Sequence, residues 1–127
     1  MTETLSQGVL VVDDDTSIRV ALERVLRKHG YDVASAATPR AAIALARREC
    51  GRSGVAIIDL DLGPVSGVAL VRHFLRRRPH LGLIVFSANP DERGMDQLRA
   101  LGVRACLAKP AAPECILEAV RRTLDAN

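Results

Sequence analysis

The sequence predicts an α/β fold, a parallel sheet covered by helices on both faces in three layers. Two periodicities predict it. Five short apolar runs recur along the chain, at 9–12, 31–35, 55–58, 83–86 and 103–108. They are mostly continuous and rich in β-branched residues, as strands buried on both faces should be. Between them the apolar residues fall at spacings of three and four, the mark of helices that bury one face. Strand and helix alternating five times imply parallel strands joined by helical crossovers, which are right-handed almost without exception. A chain of 127 residues suits one domain, 1–127. Such a domain buries roughly two-thirds of its unfolded surface.

The elements follow in order. "VLVV" (9–12) opens the sheet. Ile18, Leu22, Val25, Leu26 and His29 then fall on one helical stripe, and Gly30 is a stop signal. "YDVAS" (31–35) is the second strand. Thr38 and Pro39 read as the N-cap and first residue of a second helix that runs to about Cys50. "VAII" (55–58) is the third strand. Ser66 is placed to cap a third helix with Val71, Phe74 and Leu75 inward. Arg76, Arg77 and Arg78 close it as a solvated last turn that suits the helix dipole. "LIVF" (83–86) is the fourth strand. Asn89, Pro90 and Asp91 open a fourth helix carrying Met95, Leu98 and Leu101 before Gly102. "VRACLA" (103–108) is the fifth strand, and Pro113 opens a fifth helix with Ile116, Leu117, Val120 and Leu124 on one face.

Composition narrows the function. Hydrophobic residues make up 48% and charged residues 26%, a globular balance, while aromatics are only 2%. There is no row of rings on which bases would stack. The net charge is +3, but the basic residues are scattered, so no direct contact with nucleic acid is expected. Arginine is the default cation here. Lys28 and Lys109 are the only lysines, and a lysine therefore stands out. Cys50, Cys106 and Cys115 show no metal-binding spacing. With no signal peptide they read as reduced thiols of a cytoplasmic protein. No apolar stretch approaches the ~20 residues of a membrane helix.

The carboxyl ends of the strands carry the chemistry. The first strand runs into Asp13 and Asp14, the third into Asp59, the fourth into Ser87 and the fifth into Lys109. In an open α/β sheet the ligand site lies just outside those ends. An Asp after a strand is by itself an ordinary turn residue; the conjunction of four such endings is not ordinary. Three clustered carboxylates repel one another unless a cation joins them. Mg²⁺, which takes oxygen ligands octahedrally and keeps several waters, would neutralise Asp13, Asp14 and Asp59 together. With the Lys109 ammonium beside it, the pocket suits a phosphoryl group. A carboxylate nucleophile there can form an acyl phosphate.

These residues resemble the receiver domains of two-component response regulators, the CheY-like modules phosphorylated by histidine kinases, and the resemblance covers essentially the whole chain. "VLVVDDD" is similar to the first-strand motif, with Asp13 and Asp14 as the acidic metal pair and Asp15 as a helix-start residue. "AIIDLDLGPVSG" resembles the phosphoacceptor segment, with Asp59 the nucleophile and the Asp61 backbone carbonyl a further metal ligand. "IVFSAN" supplies the switch hydroxyl Ser87, and "LAKP" the phosphate-binding Lys109. The resemblance implies the flavodoxin-like strand order 2-1-3-4-5, a cis Lys109–Pro110 bond, and tuning of phosphate lifetime by Asp61 and Asn89. It implies a sensor histidine kinase or phosphotransfer protein as phosphodonor. It also implies an output face on the fourth helix, fifth strand and fifth helix, open to an effector, an output domain or a second copy. Three positions depart from the family pattern. Ser66 replaces an acid in the loop after Asp59, Cys106 stands where the switch aromatic usually lies, and Ala111 follows Lys109-Pro110 in place of an aromatic. With Cys106 there, switching should be muted.

Two rival readings remain. One is a degenerate receiver that acts only as a binding scaffold. The other is an enzyme, because "IIDLDLG" also resembles the DxD motif of haloacid-dehalogenase-type phosphatases. Order argues against the enzyme: Asp13 and Asp14 precede the motif, whereas such phosphatases place it first. On the receiver reading the protein is a signalling phosphoacceptor rather than a turnover enzyme. A stand-alone regulator and the receiver of a larger regulator or hybrid kinase would share this sequence.

Overall fold

The computed structural model describes residues 8–49, 53–62, 67–89 and 91–126. Strand and helix alternate throughout: β1 Gly8–Val12, α1 Thr16–Lys28, β2 Asp32–Ala36, α2 Pro39–Glu49, β3 Ser53–Asp59, α3 Gly67–Arg77, β4 Gly82–Ser87, α4 Glu92–Leu101, β5 Ala105–Ala108 and α5 Pro113–Asp125. All neighbouring strands pair in parallel, in the order β2-β1-β3-β4-β5. This is the three-layer sandwich that the sequence predicts, in the flavodoxin-like order that the resemblance implies.

Alternation along the strands builds two cores. Leu10, Val12, Ala56, Ile58, Leu83 and Val85 face α2, α3 and α4, where they meet Ala42, Ala46, Leu70, Val71, Phe74, Met95 and Leu98. Val9, Val11, Val55, Ile57, Ile84 and Phe86 point the other way, onto Leu22 and Leu26 of α1 and Ile116, Ala119 and Val120 of α5. A fully buried aliphatic side chain contributes about 1.5–3 kcal/mol, so a sheet with both faces covered holds its strand ends in fixed register. The starts of α1 and α2 follow their capping chemistry. Asp15 Oδ1 accepts from the N–H of Ser17 at 2.9 Å and of Ile18 at 3.2 Å, and Thr38 Oγ1 accepts from the N–H of Ala41 at 3.1 Å. Gly30 and Gly102, which follow α1 and α4, take φ of 91° and 122°, a region that favours glycine.

Several expectations need correction. The edge strands β2 and β5 are only half-buried, because each has a neighbour on one side alone. The fifth strand begins at Ala105 rather than 103; Val103 is buried ahead of it. Leu101 does not join the stripe of Met95 and Leu98 but is 44% exposed. Three-residue steps fall about 60° short of a full turn each time, so a second step carries Leu101 off the buried face. His29 is the exposed C-cap residue of α1, with Nδ1 3.0 Å from the Val25 carbonyl oxygen. Cys50, the loop at 63–65, the cap residue Ser66 and Pro90 lie outside the described residues.

One close approach ties α3 to the end of β3. A Cβ at Gly67 would lie 2.5 Å from the Asp59 carbonyl oxygen and 2.7 Å from Leu60 Cα. Both atoms are backbone and cannot move aside cheaply. Gly67→Ala should therefore lower the unfolding free energy by about 1–3 kcal/mol, the usual cost of overpacking. Urea denaturation reads this directly, and a midpoint equal to wild type would contradict it.

Candidate functional site

The polar strand endings meet at one edge of the sheet. Asp13 follows β1 and is buried; its N–H donates to the Ala36 carbonyl at 3.1 Å. Its Oδ1 accepts from the Asp15 N–H at 2.9 Å. Asp59 is the last residue of β3, also buried, and its Oδ1 accepts from the Asp61 N–H at 2.9 Å. Ser87 ends β4, buried, with Oγ accepting from the Asn89 N–H at 3.2 Å. Lys109 follows β5, and its N–H donates to the Ser87 carbonyl at 2.9 Å. The Lys109–Pro110 bond is cis.

The Lys109 ammonium bridges the two buried acids, 3.0 Å from Asp59 Oδ2 and 3.3 Å from Asp13 Oδ2. Burial pushes the Asp13 carboxyl above the usual carboxylate range. The charge of Asp59 adds to that, while the Asp15 N–H and Lys109 oppose it. For Lys109, burial alone would lower the proton affinity. The hydrogen bond to Asp59 and the charges of both acids outweigh it, and the ammonium is raised above its ordinary value. Lys109 thus pairs with two carboxylates, and Asp14, exposed, brings a third to the cluster. Ligand atoms of Asp13, Asp14 and Asp59 lie within 4.8 Å of one another. Asp13 Oδ2 is buried and meets the Lys109 ammonium at the longer of the two distances, 3.3 Å, without a well-formed hydrogen bond. An all-oxygen set with residual negative charge fits a hard divalent cation.

The site contains contacts that sequence reasoning missed. Asp61 Oδ2 accepts from the Ala88 N–H at 3.2 Å, joining the loop after β3 to the loop after β4. Arg19, one turn into α1, donates from Nη1 to the Asp13 carbonyl at 2.8 Å. Each contact joins two different segments, so no local pattern signals the pairing; Asp61 and Ala88 are 27 positions apart. Asn89 is exposed at the mouth of the site. Cys106 sits away from the acids, half-buried against the core under α2–α4. Burial raises its thiol pKa, opposed by Arg99 and reinforced by Asp96, which suits an unreactive filler. Cys115 is an exposed residue of α5, on the other face of the sheet.

Fold and site together define a signalling module built around a buried acid. The chain belongs to the response regulator receiver domain family, whose family model matches residues 9–121. It is 34% identical over 119 residues to the transcriptional activator protein ExaE of Pseudomonas putida, covering 92% of this chain and 55% of that protein. It is 31% identical over 115 residues to the C4-dicarboxylate transport transcriptional regulatory protein DctD of Rhizobium meliloti, covering 91% of this chain and 25% of that one. The chain thus spans about half of the first relative and a quarter of the second. A CheY-like receiver domain protein from Methanospirillum hungatei has a similar structure. Its TM-score is 0.86 at 28% identity, with 95% of each chain covered. Among the described residues no helix is long and apolar enough to cross a membrane.

The Asp61–Ala88 bond is separable from the charge of Asp61. Asp61→Asn keeps an acceptor oxygen, whereas Asp61→Ala removes it. The Ala88 amide should exchange with solvent roughly tenfold faster in Asp61→Ala and near the wild-type rate in Asp61→Asn, a loss of about 1.4 kcal/mol of local protection. Equal rates in wild type and Asp61→Ala would remove the bond from the account.

Proposed function

We propose that Asp59 accepts a phosphoryl group from a phosphohistidine of a sensor histidine kinase or phosphotransfer protein, and that Mg²⁺ held by Asp13, Asp14, Asp59 and the Asp61 carbonyl is required. The single observation that carries this is the Lys109 ammonium seated between two buried carboxylates beside a third. An Asp59 carboxylate oxygen attacks phosphorus, the P–N bond breaks, and the imidazole leaves with the electron pair and takes up a proton. The product is an acyl phosphate on Asp59. When bound, the cation supplies charge neutralisation to the phosphoryl oxygens.

The protein's own residues do the rest. Lys109 exchanges part of its pairing with Asp59 for an oxygen of the incoming group. The Asp61 N–H fixes one oxygen of Asp59 at 2.9 Å and so orients the carboxylate. Ser87 Oγ, at the adjacent strand end, donates to a phosphoryl oxygen and draws the 88–89 loop inward. That movement competes with the Asp61–Ala88 bond. Asp61 and Asn89 flank the group and set its lifetime by governing the access of water. The output face is α4, β5 and α5, on which Leu101 is exposed and β5 is a half-buried edge. A downstream effector, an output domain or a second copy would use it. Cys106 is too small to report the loop movement as an aromatic ring would, so the switch is muted. The family match over residues 9–121 favours this reading over a DxD-type phosphatase. The complete acid, hydroxyl and lysine set favours it over an unphosphorylated scaffold.

Treatment with acetyl phosphate and Mg²⁺ should add the mass of one phosphoryl group, and Asp59→Asn should abolish the gain. Stoichiometric modification of Asp59→Asn at another residue would overturn the assignment. Asp61→Ala and Asn89→Ala should each change the rate at which the phosphoprotein decays. Unchanged rates in both would remove the tuning role.

A further inference from the structure

The far end of the molecule carries an imbalance of charge that phosphotransfer does not use. Helices α2 and α3, with Arg78 just after, hold seven of the sixteen arginines and one acid, Glu49. The rest of the chain has eleven basic residues against fourteen acidic ones. The net positive charge of the protein therefore comes from this pair of helices.

Arginines in a last turn complement the helix dipole, but the other helices show what that role looks like here. Arg27 of α1 pairs with Glu23 at 3.3 Å, Arg99 of α4 with Asp96 at 3.1 Å, and Arg122 of α5 with Glu118 at 2.7 Å. Each of these three arginines has an acid three or four positions back on its own helix. Helix α3 has no acid at all: Arg72, His73 and Phe74 occupy the corresponding positions before Arg76, Arg77 and Arg78. Among the described residues no carboxylate forms an ion pair with these three arginines. Their effect is felt locally. After burial, the charges of Arg77, Arg76, Arg78 and Arg47 are what hold the His73 imidazole below its ordinary pKa.

The groups are also arranged around a space. Arg47, His73, Arg77 and Arg78 rim a cleft of about 460 Å³ between α2 and α3, with Ile43 and Phe74 completing its lining. A guanidinium rim recognises carboxylates bidentately. The apolar lining adds a seat for a hydrophobic side chain, which a nucleic-acid backbone would not fill. The scarcity of aromatics likewise gives bases nothing to stack on.

We propose that this cleft between the C-terminal halves of α2 and α3 binds an acidic peptide segment of a partner protein, with an aliphatic side chain set among carboxylates. It lies at the opposite end of the helices from Asp59, so a partner could hold the domain there while the phosphorylation site stays open.

A fluorescein-labelled peptide of alternating Glu and Asp with Leu at every fourth position tests it by anisotropy against the 127-residue protein. A DNA duplex of equal charge and an all-acidic peptide without Leu serve as comparisons. Saturable one-to-one binding is expected, weaker for both comparisons, and weakened further when salt shortens the screening length from about 10 Å to about 3 Å. Arg77→Glu combined with Arg78→Glu should weaken it roughly tenfold, and Arg24→Glu, exposed on α1 of the opposite face, should leave it unchanged. The His73 ring resonances should shift on binding. Tighter binding of the duplex would overturn the proposal in favour of a nucleic-acid surface. No saturable binding, or equal losses in the two charge-reversal variants, would also overturn it. Phosphorylation of Asp59 is measured separately and does not decide this outcome.

Discussion

The ammonium of Lys109 lies 3.0 Å from Asp59 and 3.3 Å from Asp13, and the chemistry of the domain follows from that bridge. Two buried carboxylates on neighbouring strands would repel each other strongly in a low-dielectric setting. A single charged side chain from a third strand relieves the repulsion in part. It does not remove it, because Asp14 adds a further negative charge to the cluster. The site is left with more anion than cation, and Asp13 Oδ2 holds the ammonium at the longer of the two distances, 3.3 Å. A resting state of this kind favours any partner that brings positive charge or exchanges it.

The sheet makes the bridge reproducible. β1 and β3 are adjacent and central, so Asp13 and Asp59 emerge side by side. β5 stands two strands away from β3, and the long Lys109 side chain spans β4 to reach both acids. Its backbone is fixed by the bond from its N–H to the Ser87 carbonyl, 2.9 Å. The residues that β1, β3 and β4 contribute to both cores are aliphatic apart from Phe86. Its packing resists the small shifts that would separate the charges. The less constrained parts are those that the proposed switch would move. β5 is a half-buried edge, and the loop after β4 is held to Asp61 by one exposed hydrogen bond.

Much of this was legible in the residues. The central strands announce themselves because burial on both faces demands continuous apolar runs, as in "VLVV" and "LIVF". The site was readable because each such run stops at a polar residue, and a parallel sheet brings all those stops to one edge. What escaped was what depends on rotation or on distance. Leu101 has the right spacing from Leu98 to be buried, yet the accumulated turn of α4 exposes it. The Asp61–Ala88 and Arg19–Asp13 contacts link loop to loop and helix to strand end, with no local pattern to betray them. The arginines closing α3 read as a solvated last turn, and only the fold shows α2 adding Arg47 to the same cleft.

The central claim is that Lys109 leaves the acidic cluster incompletely neutralised and ready for a divalent cation. The direct measurement is a Mg²⁺ titration of the unphosphorylated protein followed by amide resonances. Saturable shifts should concentrate at Asp13–Asp15, Asp59–Asp61 and Lys109. Asp13→Asn, which removes a carboxylate charge with little change in shape, should weaken the affinity. Shifts that fail to saturate, or an affinity unchanged in Asp13→Asn, would contradict the account.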